Sequence, residues 1–254
     1  MTLMRDKDVN VWPSCMTDDL DQFRLLAAHL SGGTSNIEIK DMVINLVKDH
    51  GIRGRILDFG AGKGELISLL AHMDGMELHG ADIMKRPENI PAYVNWYQQD
   101  LNDTLRCVPA SFDAIICSEV IEHLENPRSV FRNLFAALKP GGKLVLTMPN
   151  QENVRSFFTL IFRGQFALFQ EDHYPAHITA LLRVDLIRIC RETGFSEPYF
   201  YYTNRGWMPK VWTTWQRASM NLLRGRLFSD NLAMVVTKRD SVQGTIRGTE
   251  CGCF

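Results

Sequence analysis

The sequence lacks several features that would mark a membrane-spanning, secreted or zinc-binding protein. No apolar run in its 254 residues approaches the roughly 18 residues that a membrane-spanning helix needs. The opening segment MTLMRDKDVNVWP has no apolar signal-peptide core. The six cysteines are scattered, and no pair has zinc-finger spacing. We therefore expect a protein of the reducing cytoplasm.

An excess of either charge sign is also missing, because 28 basic residues face 29 acidic ones and the formal net charge is −1. A balanced chain has no overall attraction to nucleic acid, so we do not expect a nucleic-acid partner. The charges are unevenly distributed, since residues 203–240 contain seven lysines and arginines against two aspartates. Within that basic region, residues 207–228 are rich in tryptophan and arginine.

Internal repeats are absent as well, and 254 residues are enough for one large domain. We predict a single domain over residues 1–240 and a disordered tail over residues 241–254. Residues 18–30 and 37–49 have helical patterns. From Arg55 onward strand and helix patterns alternate, which predicts an α/β fold: a parallel sheet with helices on both faces.

What the chain does contain is a distinctive turn after its first predicted strand. The stretch ILDFGAGKGELISLL reads as a buried strand, an acid (Asp58), three alternating glycines and an apolar helix. Glycines at such a turn let the backbone approach a ligand, and the helix start offers free N–H groups. A dinucleotide site would have glycine or alanine in the sixth place of this motif, where Glu65 stands instead. A plain structural turn and an NAD site remain the alternatives.

This D-x-G-x-G-x-G spacing resembles the first motif of the class I S-adenosylmethionine-dependent methyltransferases. The resemblance implies a Rossmann-like, seven-stranded, mostly parallel sheet with an antiparallel last strand. It also implies that Asp58 faces the cationic amino-acid end of the cofactor. The last two strands would lie at residues 198–203 and 232–238. Such enzymes often carry a helical lid before the first strand, here residues 17–50.

Two further acids follow predicted strands downstream of the glycine loop. Asp82 ends one strand, and a carboxylate there can accept hydrogen bonds from both hydroxyls of a ribose. By the same resemblance, Asp100 binds the adenine amino group. Three acids at successive strand ends are hard to obtain by chance. We expect these residues to contact S-adenosylmethionine: Asp58, Gly60, Ala61, Gly62, Asp82, Ile83, Asp100, Leu101 and Ser118.

The fourth predicted strand is followed by two carboxylates and an imidazole, which we predict to be catalytic. We expect Glu119, Glu122 and His123 to share one face at the start of a helix, because they lie three and four residues apart. Such a set at the carboxyl end of a strand suits a divalent cation. A further metal ligand would come from His177 or His173.

The E-x-x-E-H run resembles two groups of methyltransferases. One is the ubiquinone-biosynthesis O-methyltransferases, which share this run and a later L-K-P-G-G. The other is the small-RNA 3′-end 2′-O-methyltransferases, in which equivalent residues and a later histidine bind magnesium. Mg²⁺ or another divalent cation would lower the pKa of an acceptor hydroxyl, and a nearby histidine would take its proton. The alternative is a metal-free site in which Glu122 and His123 cap or pair at a helix start.

Two segments after the fifth predicted strand interrupt the regular pattern and are predicted to cover the acceptor. These are residues 153–182, of which 153–170 should form one or two helices, and residues 204–230. Within the second, residues 207–228 fit an amphipathic helix on the sheet, a peripheral membrane contact or a nucleic-acid surface. The neutral total charge makes nucleic acid the weakest fit of the three.

Together these patterns predict a cytoplasmic O-methyltransferase that uses S-adenosylmethionine. The acceptor would be a hydroxyl of a small molecule, a quinone precursor or a glycan sugar, and a lipid-linked one if residues 207–228 contact a membrane. An N- or C-methyltransferase or an RNA 2′-O-methyltransferase remains open, because fold does not fix the acceptor. A non-catalytic cofactor-binding or scaffold protein is the rival of another class.

Overall fold

The structure, a computed structural model, describes residues 17–239. The predicted disordered tail and the chain start lie outside the described residues, and so do Cys15, Cys251 and Cys253. The helices are α1 (Thr17–Leu30), α2 (Ile37–Asp49), α3 (Glu65–Leu70), α4 (Pro127–Ala137), α5 (Val154–Arg163), α6 (Arg183–Thr193) and α7 (Trp215–Ala218). The strands are β1 (Gly54–Phe59), β2 (Met76–Asp82), β3 (Asn95–Gln98), β4 (Phe112–Ser118), β5 (Leu138–Pro149), β6 (Tyr199–Tyr202) and β7 (Asn231–Thr237).

The strands form one sheet in the order β3-β2-β1-β4-β5-β7-β6. Strand β7 runs antiparallel to both of its neighbours, and the other adjacent pairs are parallel. The predicted α/β class, the seven strands and the antiparallel last strand are therefore confirmed. The strand order reverses between β1 and β4, and in open α/β sheets ligands bind beyond the carboxyl ends of the strands at such a point.

Helices cover both faces of the sheet, because the central strands are apolar on both sides. Neighbouring residues of β4 show this division. Ile115 packs in a cluster with side chains of α4 and α6, whereas Ile116 packs in a second cluster with side chains of α2 and α3. Both side chains are fully buried. The central strands are thus buried on both faces, and their buried polar side chains are concentrated at the carboxyl edge of the sheet.

Local capping explains where several helices begin. The side chains of Asn36, Asn126 and Asn153 accept the backbone N–H three residues ahead, at the starts of α2, α4 and α5. Pro127 occupies the first position of α4, where its missing N–H costs nothing. The predicted helices at residues 18–30 and 37–49 and the last two strands are confirmed to within about two residues, and residues 153–170 contain one helix, α5, which ends at Arg163.

The amphipathic helix considered for residues 207–228 is wrong. The segment contains only the four-residue α7 and a short 3₁₀ turn at Arg226–Phe228, and the rest is irregular. Positive φ angles at Lys210, Met220 and Asn221 interrupt a helix. The buried Gln216 side chain organises the segment instead, donating to two backbone carbonyls and accepting the Gly206 N–H. Across residues 17–239, no helix has the length and apolarity to cross a membrane.

Candidate active site

A cavity of about 440 Å³ opens at the carboxyl edge of the sheet, beside the reversal between β1 and β4. Its volume is in the range of roughly 300–1,000 Å³ that cofactors and small ligands occupy. All nine residues predicted to contact the cofactor line it, together with Glu119, Glu122, His123 and His177. His173 does not line it. The sequence patterns therefore converge on one cavity.

The glycine loop forms one wall of the cavity in a conformation that side chains would not allow. Gly60, Gly62 and Gly64 all have positive φ angles, between 50° and 84°. A Cβ on Gly60 would overlap the side chain of Val120, and a Cβ on Gly62 would overlap the carbonyl of Gly33. Part of the glycine requirement is therefore internal packing, in addition to the close approach of a ligand.

Asp82, at the end of β2, holds the glycine loop in place. Its two carboxylate oxygens accept the backbone N–H groups of Gly62 and Met84, each at 2.8 Å. Burial raises the pKa of Asp82, and these N–H groups act in the opposite direction. The side chain thus couples the loop to the next strand while it lines the cavity.

Asp58, at the end of β1, is a buried carboxyl group that is not fully hydrogen-bonded. Its side chain is 3% exposed, and Oδ2 has no hydrogen-bond partner among the described residues. Burial, reinforced by the charge of Asp82, raises the pKa of Asp58 from 3.8 to about 7. A cationic group bound in the cavity would stabilise the ionised form. The amino-acid end of S-adenosylmethionine is such a group, so the residues present fit that cofactor.

Helix α1 closes the opposite side of the cavity through an arginine that the sequence patterns did not single out. The Arg24 guanidinium donates to Asp100 at 2.9 Å and to both oxygens of Glu125 at 2.8 and 2.7 Å. Asp100, the acid expected at the adenine end, therefore also holds helix α1, part of the segment that we expect to act as a lid. The partners lie 76 and 101 residues from Arg24, and no local signal reveals such a pairing.

Beyond β4, three side chains come together in a group suited to a metal ion. Ligand atoms of Glu122, His123 and His177 all lie within 4.8 Å of one another. Glu122 is 1% exposed, and neither of its carboxylate oxygens has a hydrogen-bond partner among the described residues. Burial and the nearby Glu119 raise the pKa of Glu122 well above its ordinary value. This carboxyl group needs either a proton or a cation.

The two histidines of this group are held by backbone carbonyls. His123 Nδ1 lies 2.7 Å from the oxygen of Ala176, and His177 Nδ1 lies 2.7 Å from that of Leu168. A hydrogen donated from Nδ1 leaves the lone pair on Nε2, as in many metal-binding histidines. Burial lowers the pKa of both rings, that of His177 to about 4. Both are therefore neutral at pH 7, the state a metal requires.

The loop that carries His177 is pinned to the end of β4. The carbonyl oxygen of Glu122 accepts the backbone N–H groups of Ile178 and Thr179 at 3.0 and 2.9 Å. The Thr179 hydroxyl donates to the carbonyl of Leu124 at 2.6 Å. These bonds fix His177 rather than His173 beside Glu122. His173 Nδ1 lies 2.9 Å from the exposed carboxylate of Asp172 instead.

Glu119 does not belong to the metal-suited group. Its φ angle is +56°, and its carboxylate oxygens accept hydrogen bonds from Thr147 at 2.9 Å and from Asn231 at 2.8 Å. The expected start of an α-helix is wrong, because the chain forms a 3₁₀ turn at Ile121–His123. Desolvation raises the pKa of Glu119 to about 7, against the opposing effect of these two hydrogen bonds. Glu119 therefore lines the cavity with its carboxylate held in place by Thr147 and Asn231.

Known proteins share this architecture and parts of this sequence. A family described as a methyltransferase domain matches residues 36–196. The ubiquinone biosynthesis O-methyltransferase of Proteus mirabilis is 25% identical over 180 residues, which are 65% of this chain and 73% of that protein. The same-named protein of Dechloromonas aromatica is 28% identical over 122 residues, 45% of this chain and about half (52%) of its own length.

A solved structure extends the likeness to almost the whole fold. The Burkholderia thailandensis 1,6-didemethyltoxoflavin-N1-methyltransferase, with bound S-adenosylhomocysteine, has a TM-score of 0.58 at 15% identity. The match covers 91% of this chain and 93% of that one. At this identity the likeness establishes the fold. With the family match over residues 36–196 and the orphaned Asp58 beside the glycine loop, it identifies the chain as a member of the methyltransferase-domain family, an S-adenosylmethionine-dependent methyltransferase.

Proposed function

We propose that this enzyme transfers the methyl group to a hydroxyl oxygen of a small acceptor, assisted by a divalent cation at Glu122, His123 and His177. The acceptor class is a hydroxylated small molecule, such as a quinone precursor or a sugar. One observation carries the proposal: the unpartnered Glu122 carboxyl group shares a cavity with Asp58, the acid that we expect to meet the cofactor's ammonium group. The names of the relatives, ubiquinone biosynthesis O-methyltransferases, support oxygen as the acceptor atom.

The charge state of the site supports a cation. Burial and the nearby Glu119 raise the pKa of the unpartnered Glu122 and so favour its neutral form, and a neutral carboxylic acid serves poorly as a base. Glu122, His123 and His177 would hold a divalent cation through one carboxylate and two imidazoles, a mixed set suited to Mn²⁺ or Zn²⁺ as well as Mg²⁺. When bound, the cation would lower the pKa of a coordinated hydroxyl.

The protein side of the reaction is positioning. Methyl transfer is a displacement at carbon, so orienting the acceptor oxygen toward the methyl group is the main task. His123, whose lone pair is on Nε2, would accept the hydroxyl proton in a metal-free site. Glu119 would contribute as a fixed wall, because Thr147 and Asn231 hold both of its oxygens.

A transfer assay tests the proposal against its rivals. The purified chain is incubated with S-adenosylmethionine and catechol, aniline or a short RNA, and formation of S-adenosylhomocysteine is measured. We expect turnover with catechol, loss in excess chelator and recovery with Mg²⁺, Mn²⁺ or Zn²⁺. Transfer to aniline or RNA alone would replace the acceptor class. Full activity in chelator would leave His123 as a metal-free base.

A further inference from the structure

Helix α5 exposes its large apolar side chains and buries a polar one. A surface helix normally buries its apolar side chains and exposes its polar ones. In α5 the one buried residue is Ser156, and five large apolar side chains are exposed. Ile161 and Phe162 are 76% and 74% exposed. These exposed residues are Phe157, Phe158, Leu160, Ile161 and Phe162.

The outward orientation of the apolar face is fixed by buried polar contacts. The Ser156 hydroxyl donates to Gln151 at 3.1 Å and accepts the Ala167 N–H at 3.2 Å. The Asn153 side chain caps the first turn by accepting the Ser156 N–H at 2.7 Å. Turning the helix over would leave these buried groups unpaired, which costs free energy. These hydrogen bonds therefore keep the apolar face of α5 on the protein surface.

A second apolar segment begins beside α5. The carboxylate of Asp230 accepts the Trp207 N–H at 2.9 Å and lies 3.7 Å from Arg155 in the first turn of α5. From Trp207 the chain enters a tight hairpin, with a bridge from Trp207 to Thr214. Trp212 at its tip is 97% exposed. Arg155 and Trp207 also line the cavity, so both segments start at its rim.

The charges of these segments have one sign. Residues 153–170 and 204–229 contain seven arginines and lysines and no aspartate or glutamate. Five of the seven have no ion pair among the described residues: Arg163, Lys210, Arg217, Arg224 and Arg226. We call residues 153–170 and 204–229 the basic apolar surface. Exposed aromatic and aliphatic groups with cations around them are the features of a protein that lies on an anionic bilayer.

We propose that the basic apolar surface docks the enzyme onto an anionic lipid membrane, with the cavity rim at the lipid headgroups. A second copy of this chain is a poorer occupant, because a two-fold interface would set these cations against one another. Nucleic acid would gain little from Ile161, Leu222 or Met220, since stacking on bases requires aromatic faces. Docking through this surface does not depend on which atom of the acceptor is methylated or on whether a metal ion is bound.

Vesicle co-sedimentation tests the docking surface. The full chain is spun with phosphatidylglycerol-rich vesicles or with pure phosphatidylcholine vesicles, at low and at high salt. Wild type should pellet with the anionic vesicles at low salt and less in the other conditions. The variant Ile161→Glu/Phe162→Glu should lower the partition coefficient on the order of ten-fold or more. Val108→Glu, a 74% exposed valine before β4 at the opposite edge of the sheet, should bind like wild type.

Calorimetry with S-adenosylhomocysteine on each variant shows that the fold and the cofactor site are intact, whether or not methyl transfer has been observed. Wild type that stays in the supernatant overturns the inference, and so does equal pelleting of the α5 variant. Binding to a short RNA without vesicle binding assigns the surface to nucleic acid. A wild-type dimer that dissociates in the α5 variant, with no pelleting, assigns it to a second copy.

Discussion

Asp58 and Glu122 are buried carboxyl groups on the wall of one cavity; one oxygen of Asp58 and both oxygens of Glu122 lack a hydrogen-bond partner in the part of the chain described. Burial is the largest cause that raises the pKa of either one. Such groups destabilise a protein at neutral pH unless a proton or a cation is present. The two carboxyl groups therefore explain why the cavity would take a cationic cofactor and, as we propose, a metal ion.

Asp58→Asn should separate cofactor binding from stability. The folded pKa of Asp58 is about 7 against an ordinary 3.8, so the folded state holds an extra proton between these values. Stability from this group is therefore lost as pH rises toward 7. Asparagine cannot ionise, so the variant without ligand should gain in melting temperature relative to wild type between acidic and mildly alkaline pH.

The same change should weaken S-adenosylhomocysteine binding by about 1–3 kcal/mol at mildly alkaline pH, because a charged partner of the ligand's ammonium is lost. Wild-type affinity should rise as pH increases through 7, and the variant's affinity should not. Calorimetry at several pH values measures both. A pH-independent wild-type affinity would mean that Asp58 does not meet the ammonium group.

At this scale the sequence predicted which residues line the cavity, but it did not predict all of their partners. Acids and glycines next to strand ends have a fixed place in an α/β sheet, so their positions follow from spacing. The spacing of Glu119 and Glu122 predicts that both lie on one face of a helix. The positive φ angle of Glu119 instead directs it to Thr147 and Asn231, which lie on other strands.

At the scale of elements, the glycine loop and the lid have separable roles. Gly60→Ala should lower the free energy of unfolding for two reasons: a positive φ costs about 1–2 kcal/mol in a non-glycine residue, and the added Cβ overlaps Val120. Gly164→Ala is the matched control, because Gly164 also has a positive φ and nothing near its Cβ position.

Urea unfolding of both variants measures the difference. We expect Gly60→Ala to cost at least about 1 kcal/mol more than Gly164→Ala, the scale of overpacking in a core. If both variants lose the same free energy of unfolding, the Val120 side chain moves aside without cost. The positive φ angle alone would then explain why position 60 is glycine.

The lid should loosen when its arginine is removed. Arg24→Ala eliminates the hydrogen bonds to Asp100 and Glu125 that hold α1 across the cavity. Because these groups are partly exposed, we expect a loss of only about 1 kcal/mol in lid closure. Amide exchange within α1 and dissociation of S-adenosylhomocysteine should both become faster.

Arg128→Ala serves as the comparison for the lid variant. Arg128 pairs with Glu192 at 2.8 Å, and both side chains are about half exposed. Its removal should leave α1 exchange unchanged. If the two variants behave alike, Arg24 does not secure the lid.

Most elements could be predicted because their signals are local, such as the asparagine caps and the apolar stripe of α2. Local signals do not predict the structure of residues 207–228. Their tryptophans and arginines suggest a helical face, but the structure depends on Gln216, whose partners are Gly206, Leu223 and Phe228. Likewise, the exposed apolar face of α5 depends on the burial of Ser156, which no local pattern in the sequence indicates.

At the scale of the whole molecule, the sheet gathers every functional feature at one edge. The residues expected to contact the cofactor, the group formed by Glu122, His123 and His177, and the start of the basic apolar surface all border one cavity. A docked enzyme would therefore open toward the bilayer, which suits an acceptor that partitions into lipid. The strand order made this convergence predictable, since carboxyl ends of parallel strands share one edge.

Calorimetric titration of Mn²⁺ in the presence of S-adenosylhomocysteine tests the central proposal most directly. Wild type should bind the ion, and His177→Ala should weaken binding on the order of 100-fold, because a ligand is lost. His173→Ala, which alters a neighbouring histidine outside the metal-suited group, should bind like wild type. Absence of binding in wild type, or equal binding by all three proteins, would contradict a metal-assisted site at Glu122, His123 and His177.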